Sequence, residues 1–120
     1  MNHLEIKSFE FSLNIVKFCK GLATEQKEYI ISKQLLKSGT AIGANYREAA
    51  YAESRADFIH KMCISQKECN ETIYWLDILQ RSNDYDEEFQ KQLKEEATVL
   101  MKLISKTILT AKRNRKAQKI

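Results

Sequence analysis

The chain has 120 residues, 43% hydrophobic and 30% charged, with no proline and three glycines. That length supports one core that can hold without disulfides or metals and leaves no room for a second, and the composition excludes collagen-like, disordered and turn-rich all-β chains. The formal net charge of +4 is unevenly spread, because residues 97–120 carry seven basic and no acidic side chains while residues 1–96 hold thirteen basic against sixteen acidic.

Four helices can be written from apolar periodicity and caps. The first is expected from about Ser8 to Ala23, with Phe11, Ile15, Phe18, Cys19 and Leu22 on one face. Thr24 offers an N-cap for the second, expected from about Glu25 to Ala52, where Ile31, Leu35, Ser38, Ile42, Asn45, Ala49 and Ala52 follow four-three spacing. Gly39 and Gly43 sit inside it, each costing about 1 kcal/mol relative to alanine. A break at Ser38-Gly39 is therefore the rival, but the apolar phase runs unbroken from Ile31 to Ala49 and favours one helix. Gly39-x-x-x-Gly43 also lets a neighbouring helix come close.

Ser54-Arg55-Ala56-Asp57 resembles a capping box and opens a third helix, expected to reach about Arg81 with Phe58, Met62, Ser65, Cys69, Thr72, Leu76 and Leu79 inward. After the polar turn Ser82-Asn83-Asp84, a second box, Asp84-x-x-Glu87, opens the fourth. Its stripe is Phe89, Leu93, Ala97, Leu100, Ile104, Thr107, Ile108 and Ala111. Short turns make sequential helices antiparallel, so the expected fold is all-α, an up-down-up-down four-helix bundle over residues 1–111. Residues 112–120 form a basic C-terminal arm, read as a frayed helix end or a disordered segment.

Cys19, Cys63 and Cys69 are an odd number without a CxxC pair and lie in apolar patterns, as free thiols of a reducing cytoplasm would. The N-terminal residues lack a signal-peptide pattern and no apolar run approaches a membrane span, so a cytoplasmic protein without membrane contact is expected.

The residues argue against catalysis and cofactors. A dinuclear metal site in a bundle needs several Glu and two Glu-x-x-His pairs, and Asp57-x-x-His60 supplies half of one, with Asp57 better explained as a cap. Ser38 and Ser54 lack a nearby base, and Gly39-x-x-x-Gly43 is not followed by the lysine of a phosphate loop. Neither a catalytic residue nor a metal ligand is assigned. Lys112, Arg113, Arg115, Lys116 and Lys119 are the clearest functional candidates, since such a cluster attracts phosphate backbones by counterion release. A plain solubilising helix end, its cations complementing the C-terminal dipole, is the rival. Tyr74 and Trp75 are about 100° apart on their helix, so one of them faces outward or into a partner.

The run from Ser32 to Leu79 closely resembles the four-helix-bundle proteins encoded in intervening sequences of bacterial 23S rRNA genes. Gln34-Leu35, Ser38-Gly39-Thr40, Ile42-Gly43-Ala44-Asn45, Glu48-Ala49, Glu53-Ser54, Asp57-Phe58, Lys67-Glu68, Glu71-Thr72 and Tyr74-Trp75-Leu76 carry the likeness. The resemblance implies an antiparallel bundle that assembles into a homopentameric ring without established enzymatic activity. A fold similar to the accessory variability protein of diversity-generating retroelements implies, by analogy, contact with nucleic acid. The expected function is thus a non-enzymatic oligomer that contacts RNA or DNA non-specifically through the arm with Arg47 and Arg55. Gly39, Gly43, Asn45, Glu48, Glu71, Tyr74 and Trp75 form its packing and assembly set. The alternative is a ring-shaped scaffold for a protein partner, without nucleic-acid binding.

Overall fold

In the computed structural model, which describes residues 2–119 and side chains as far as Lys116, four helices follow in order. They are α1 (His3–Gln26), α2 (Ile30–Ala50), α3 (Arg55–Ser82) and α4 (Glu87–Lys119). Each packs on its neighbours in sequence and α1 also meets α4, while the diagonal pairs stay apart. Contacts run in opposite directions along every pair: Ile15 lies beside Gly39 and Ser8 beside Gly43, Ser65 bonds Ile42 and Gln66 bonds Ser105. The result is the antiparallel four-helix bundle expected from the periodicity, 56 × 23 × 21 Å.

The inward stripes match. Phe11, Ile15, Phe18, Cys19 and Leu22 of α1 are buried, as are Leu35, Ser38, Ile42 and Ala49 of α2, Met62 through Leu79 at the expected positions of α3, and Leu93 through Ala111 at those of α4. Seam-edge residues Ile31, Asn45, Ala52, Phe58, Phe89 and Thr107 are only half-buried. Polar seam residues are satisfied inside the chain: the Thr72 hydroxyl lies 3.0 Å from that of Ser38 and 2.8 Å from the Glu68 carbonyl, and Ser65 donates to the Ile42 carbonyl at 2.8 Å.

Helix ends differ from the sequence expectation where local chemistry competes. α1 begins five residues earlier because Asn2 accepts from the Glu5 N–H at 2.9 Å, an Asn-x-x-Glu start of the same kind as the two recognised boxes. It continues through Thr24, whose hydroxyl donates to the Lys20 carbonyl at 2.9 Å instead of capping α2. Lys27 then closes α1 in the left-handed region at φ 54°, and the Glu28 carboxylate caps α2 by accepting from Ile31 and Ser32 at 2.7 and 3.0 Å. α2 is continuous through both glycines. It stops at Ala50, with the Tyr51 and Ala52 N–H groups turning back to Glu48 and Ala49, so that Ser54 reaches extended geometry and caps α3 by accepting from the Asp57 N–H at 3.0 Å.

α4 opens at Asp86, not Asp84. The Asn83 side chain accepts from the Tyr85 N–H at 2.8 Å, forming a local turn, and the Tyr85 ring packs 5.8 Å from that of Phe18, its hydroxyl lying over Gly21. Reaching that contact lengthens the connection by two residues, and Asp86 then accepts from the Phe89 N–H at 3.3 Å. At 1.5 Å per residue α4 is about 50 Å long against about 36 Å for α1, so the basic segment leaves the bundle as helix and not as a loose strand of chain.

Candidate nucleic-acid interface

The register between α3 and α4, set by Gln66 with Ser105 and by the Asp77–Lys94 ion pair at 2.6 Å, places Arg55 level with Lys116 when continued toward the end of the bundle. Lys112, Arg113, Arg115 and Lys116 there line a shallow groove of about 450 Å³ floored by Ile59 and Leu109. Arg115 is half-buried and the other three cations are exposed. Arg55 occupies the first turn of α3, where the helix dipole disfavours a cation and an arriving anion would relieve the repulsion.

Two cations lie outside the expected cluster. Lys102 and Lys106 are exposed and share an outward face of α4 with Leu109, Arg113 and Lys116, at spacings of four, three, four and three. The signal was present in the sequence, as a helical repeat of basic residues, and was obscured by separating an arm from the stripe at Ala111. Neither ion pair among the described residues uses these four cations. Arg47 is exposed near the same end, but on α2, diagonal to α4, so the structure does not bring it to this face. The side chain of Lys119 lies outside the described residues.

The other singled-out residues have partners in their own chain. A Cβ on Gly39 would lie 2.9 Å from two carbons of Ile15, and one on Gly43 would lie 3.3 Å from the Ser8 carbonyl oxygen, so both glycines admit α1. The Asn45 amide donates to the Ala41 carbonyl at 2.8 Å. Glu48 pairs with Lys61 at 3.5 Å. Glu71 accepts from the Trp75 indole N–H at 3.3 Å. Tyr74 is the outward member of the aromatic pair, 56% exposed, with its ring edge-on to that of half-buried Trp75 at 5.2 Å.

The groups that could suggest catalysis are likewise engaged: Ser54 caps α3 and Ser38 is paired with Thr72 in the core. Burial pushes the Cys19 and Cys69 thiols up to about 12, removing their nucleophilic form at neutral pH. No group of three or more His, Cys, Asp or Glu is placed to hold a metal among the described residues, and none of their helices is long and apolar enough to cross a membrane.

Fold and surface together define a helical bundle with an extended basic α4. The chain belongs to the 23S rRNA-intervening sequence protein family, whose model matches residues 3–106. A similar crystal structure, of a protein of unknown function from the S23 ribosomal protein family of Bacteroides thetaiotaomicron VPI-5482, shares 47% identity at a TM-score of 0.86. It covers 88% of this chain and 98% of that one. Among curated proteins, none matches. The family match ends at Lys106, so the cations from Lys112 onward lie beyond it.

Proposed function

We propose that the protein is a non-enzymatic homo-oligomer, a ring of five, that binds RNA or DNA without sequence specificity through the outward face of α4. The observation that carries the binding is the row Lys102, Lys106, Arg113 and Lys116 on one rigid helix, with Arg55 beside its end. Its span of about 21 Å suits several consecutive phosphates, and three of its four cations are lysines, point charges that meet phosphate oxygens without reading a base. Lys112 and Arg115 flank the row, and Arg47 contributes at most from the diagonal helix. The family's tie to 23S rRNA intervening sequences makes structured rRNA the first polyanion to test, and the family resemblance supports the ring, which would repeat the row and add avidity.

Fluorescence anisotropy with a 23S rRNA fragment and a DNA duplex of equal length, at several salt concentrations, tests this. Similar affinities that fall with salt, and fall further in Lys106→Glu/Arg113→Glu, are expected; salt-independent binding or unchanged affinity in the variant refutes it. A second reading, a scaffold for a protein partner, draws on exposed Tyr74 and predicts that no polyanion binds.

A further inference from the structure

α1 is apolar on two opposite faces. One packs into the bundle through Leu4, Phe11, Ile15, Phe18 and Leu22. On the other, Ile6, Phe9, Leu13 and Val16 succeed one another at intervals of three, four and three residues and are 39, 53, 56 and 46% exposed. This is the interval of a coiled-coil seam, and at 100° per residue the row points about 150° away from the buried face. A helix on the surface of a finished assembly carries polar residues there. The outward sides of α3 and α4 do so, with Tyr74, Val99 and Leu109 as separated exceptions.

We propose that this row is the face through which one copy of the chain packs against a second copy. The proposal rests on the oligomeric reading above and assigns the assembly surface to α1, where sequence reasoning had placed it around α2 and α3. Area suffices for it: the four side chains leave roughly 350 Å² of apolar surface in one uninterrupted strip, a patch of the size that ordinary monomers also show and often use. A stable interface takes about 800 Å² from each partner, a little over half of it apolar, so the strip supplies most of that core, with exposed Leu36 of α2 one turn before Gly39 adding to it. Charge selects the occupant. Glu5 and Glu10 accompany the first half of the row and Lys17 and Lys20 the second, so the strip repels a polyanion at one half and suits a partner of mixed sign, which a second copy provides.

Multi-angle light scattering of the full chain at several concentrations, with circular dichroism on the same samples, tests the assignment. The wild type is expected at a multiple of 14.0 kDa. Leu13→Glu is expected to shift it to the single-chain mass, or to weaken association at least 100-fold, with helical signal unchanged because Leu13 is exposed; Leu13→Ser moves the mass in the same direction by less. Asn70→Glu, at an exposed site on α3, leaves the mass unchanged. A wild-type oligomer that Leu13→Glu and Leu13→Ser both leave intact overturns the α1 assignment while the oligomeric reading stands. A wild type at 14.0 kDa throughout overturns that reading and the assignment with it.

Discussion

Replacing Gly39 or Gly43 by alanine should separate two effects that usually arrive mixed. Both sites lie inside α2, so each substitution gains about 1 kcal/mol of helix propensity, and this term cancels when the two variants are compared. What remains is packing. At Gly39 the new methyl would stand 2.9 Å from Cγ1 and Cγ2 of Ile15 and 3.1 Å from its Cδ1, and Ile15 is fully buried with no free space to enter. Overpacking of that kind costs about 1–3 kcal/mol. At Gly43 the nearest atoms are the Ser8 carbonyl oxygen at 3.3 Å and the Ser8 and Ser12 hydroxyls at 3.4 and 3.5 Å; the hydroxyls can rotate and the required adjustment is small. Gly39→Ala should therefore be less stable than Gly43→Ala by about 1–3 kcal/mol, a gap in Tm of about 4–12 °C for a chain of this size. Urea and thermal unfolding followed by circular dichroism, at matched concentration and with unchanged m-values, measure it. Equal stability, or a more stable Gly39→Ala, would refute the claim that Ile15 fills the space over Gly39.

A larger side chain at the other glycine, Gly43→Leu, should lower stability by overfilling the α1–α2 seam, and an unaltered unfolding midpoint would contradict the close approach of Ser8. Thr72→Val leaves the buried Ser38 hydroxyl with only its 3.5 Å contact to the Leu35 carbonyl and should cost about 1–3 kcal/mol in urea unfolding; a neutral effect would show that the Ser38–Thr72 pair contributes nothing. For the basic row, four neutralised phosphates give a slope of about −3.6 in log K against log salt on duplex DNA, and removing one cation with Arg113→Ala should lower its magnitude by about 0.9. The thiols set a pH dependence. Cys19 and Cys69 stay protonated in the fold up to about 12 against an ordinary value of 9.0, so their contribution is intact below pH 9 and lost as pH rises toward 12. Each thiol then lowers stability by about 1.4 kcal/mol per pH unit, a slope that Cys19→Ala/Cys69→Ala should reduce. Iodoacetamide at neutral pH should modify half-buried Cys63 ahead of the other two, as read by peptide mass spectrometry.

The inward stripes were legible because a core position repeats every 3.6 residues whatever the neighbouring helix is, and the continuity of α2 through Gly39 and Gly43 followed from the same phase. Helix ends were less so. Thr24 and Asp84 are sound caps in isolation, yet Thr24 bonds back into its own helix, and the contact between Tyr85 and Phe18 moves the start of α4 to Asp86. Local sequence offers several caps of similar energy, and long-range packing chooses among them.

The sequence by itself also determined that the positive charge collects at the C-terminal end, since charge needs no partner to be counted. Only the tertiary structure decided what that charge shares a surface with. Continuing α4 as helix joins Lys102 and Lys106 to Arg113 and Lys116, the antiparallel register brings Arg55 level with Lys116, and the diagonal placement of α2 sets Arg47 apart. The apolar row of α1 shows the same division most plainly. Ile6, Phe9, Leu13 and Val16 are as apolar as the residues that face the core, and a helix with two such faces can bury either. The longer stripe through Phe11, Ile15, Phe18 and Leu22 marked the inward face in the sequence; that Ile15 sits over Gly39 and Phe18 against Tyr85 and Phe89, leaving the second face uncovered within the chain, was decided by contacts between residues far apart in the sequence.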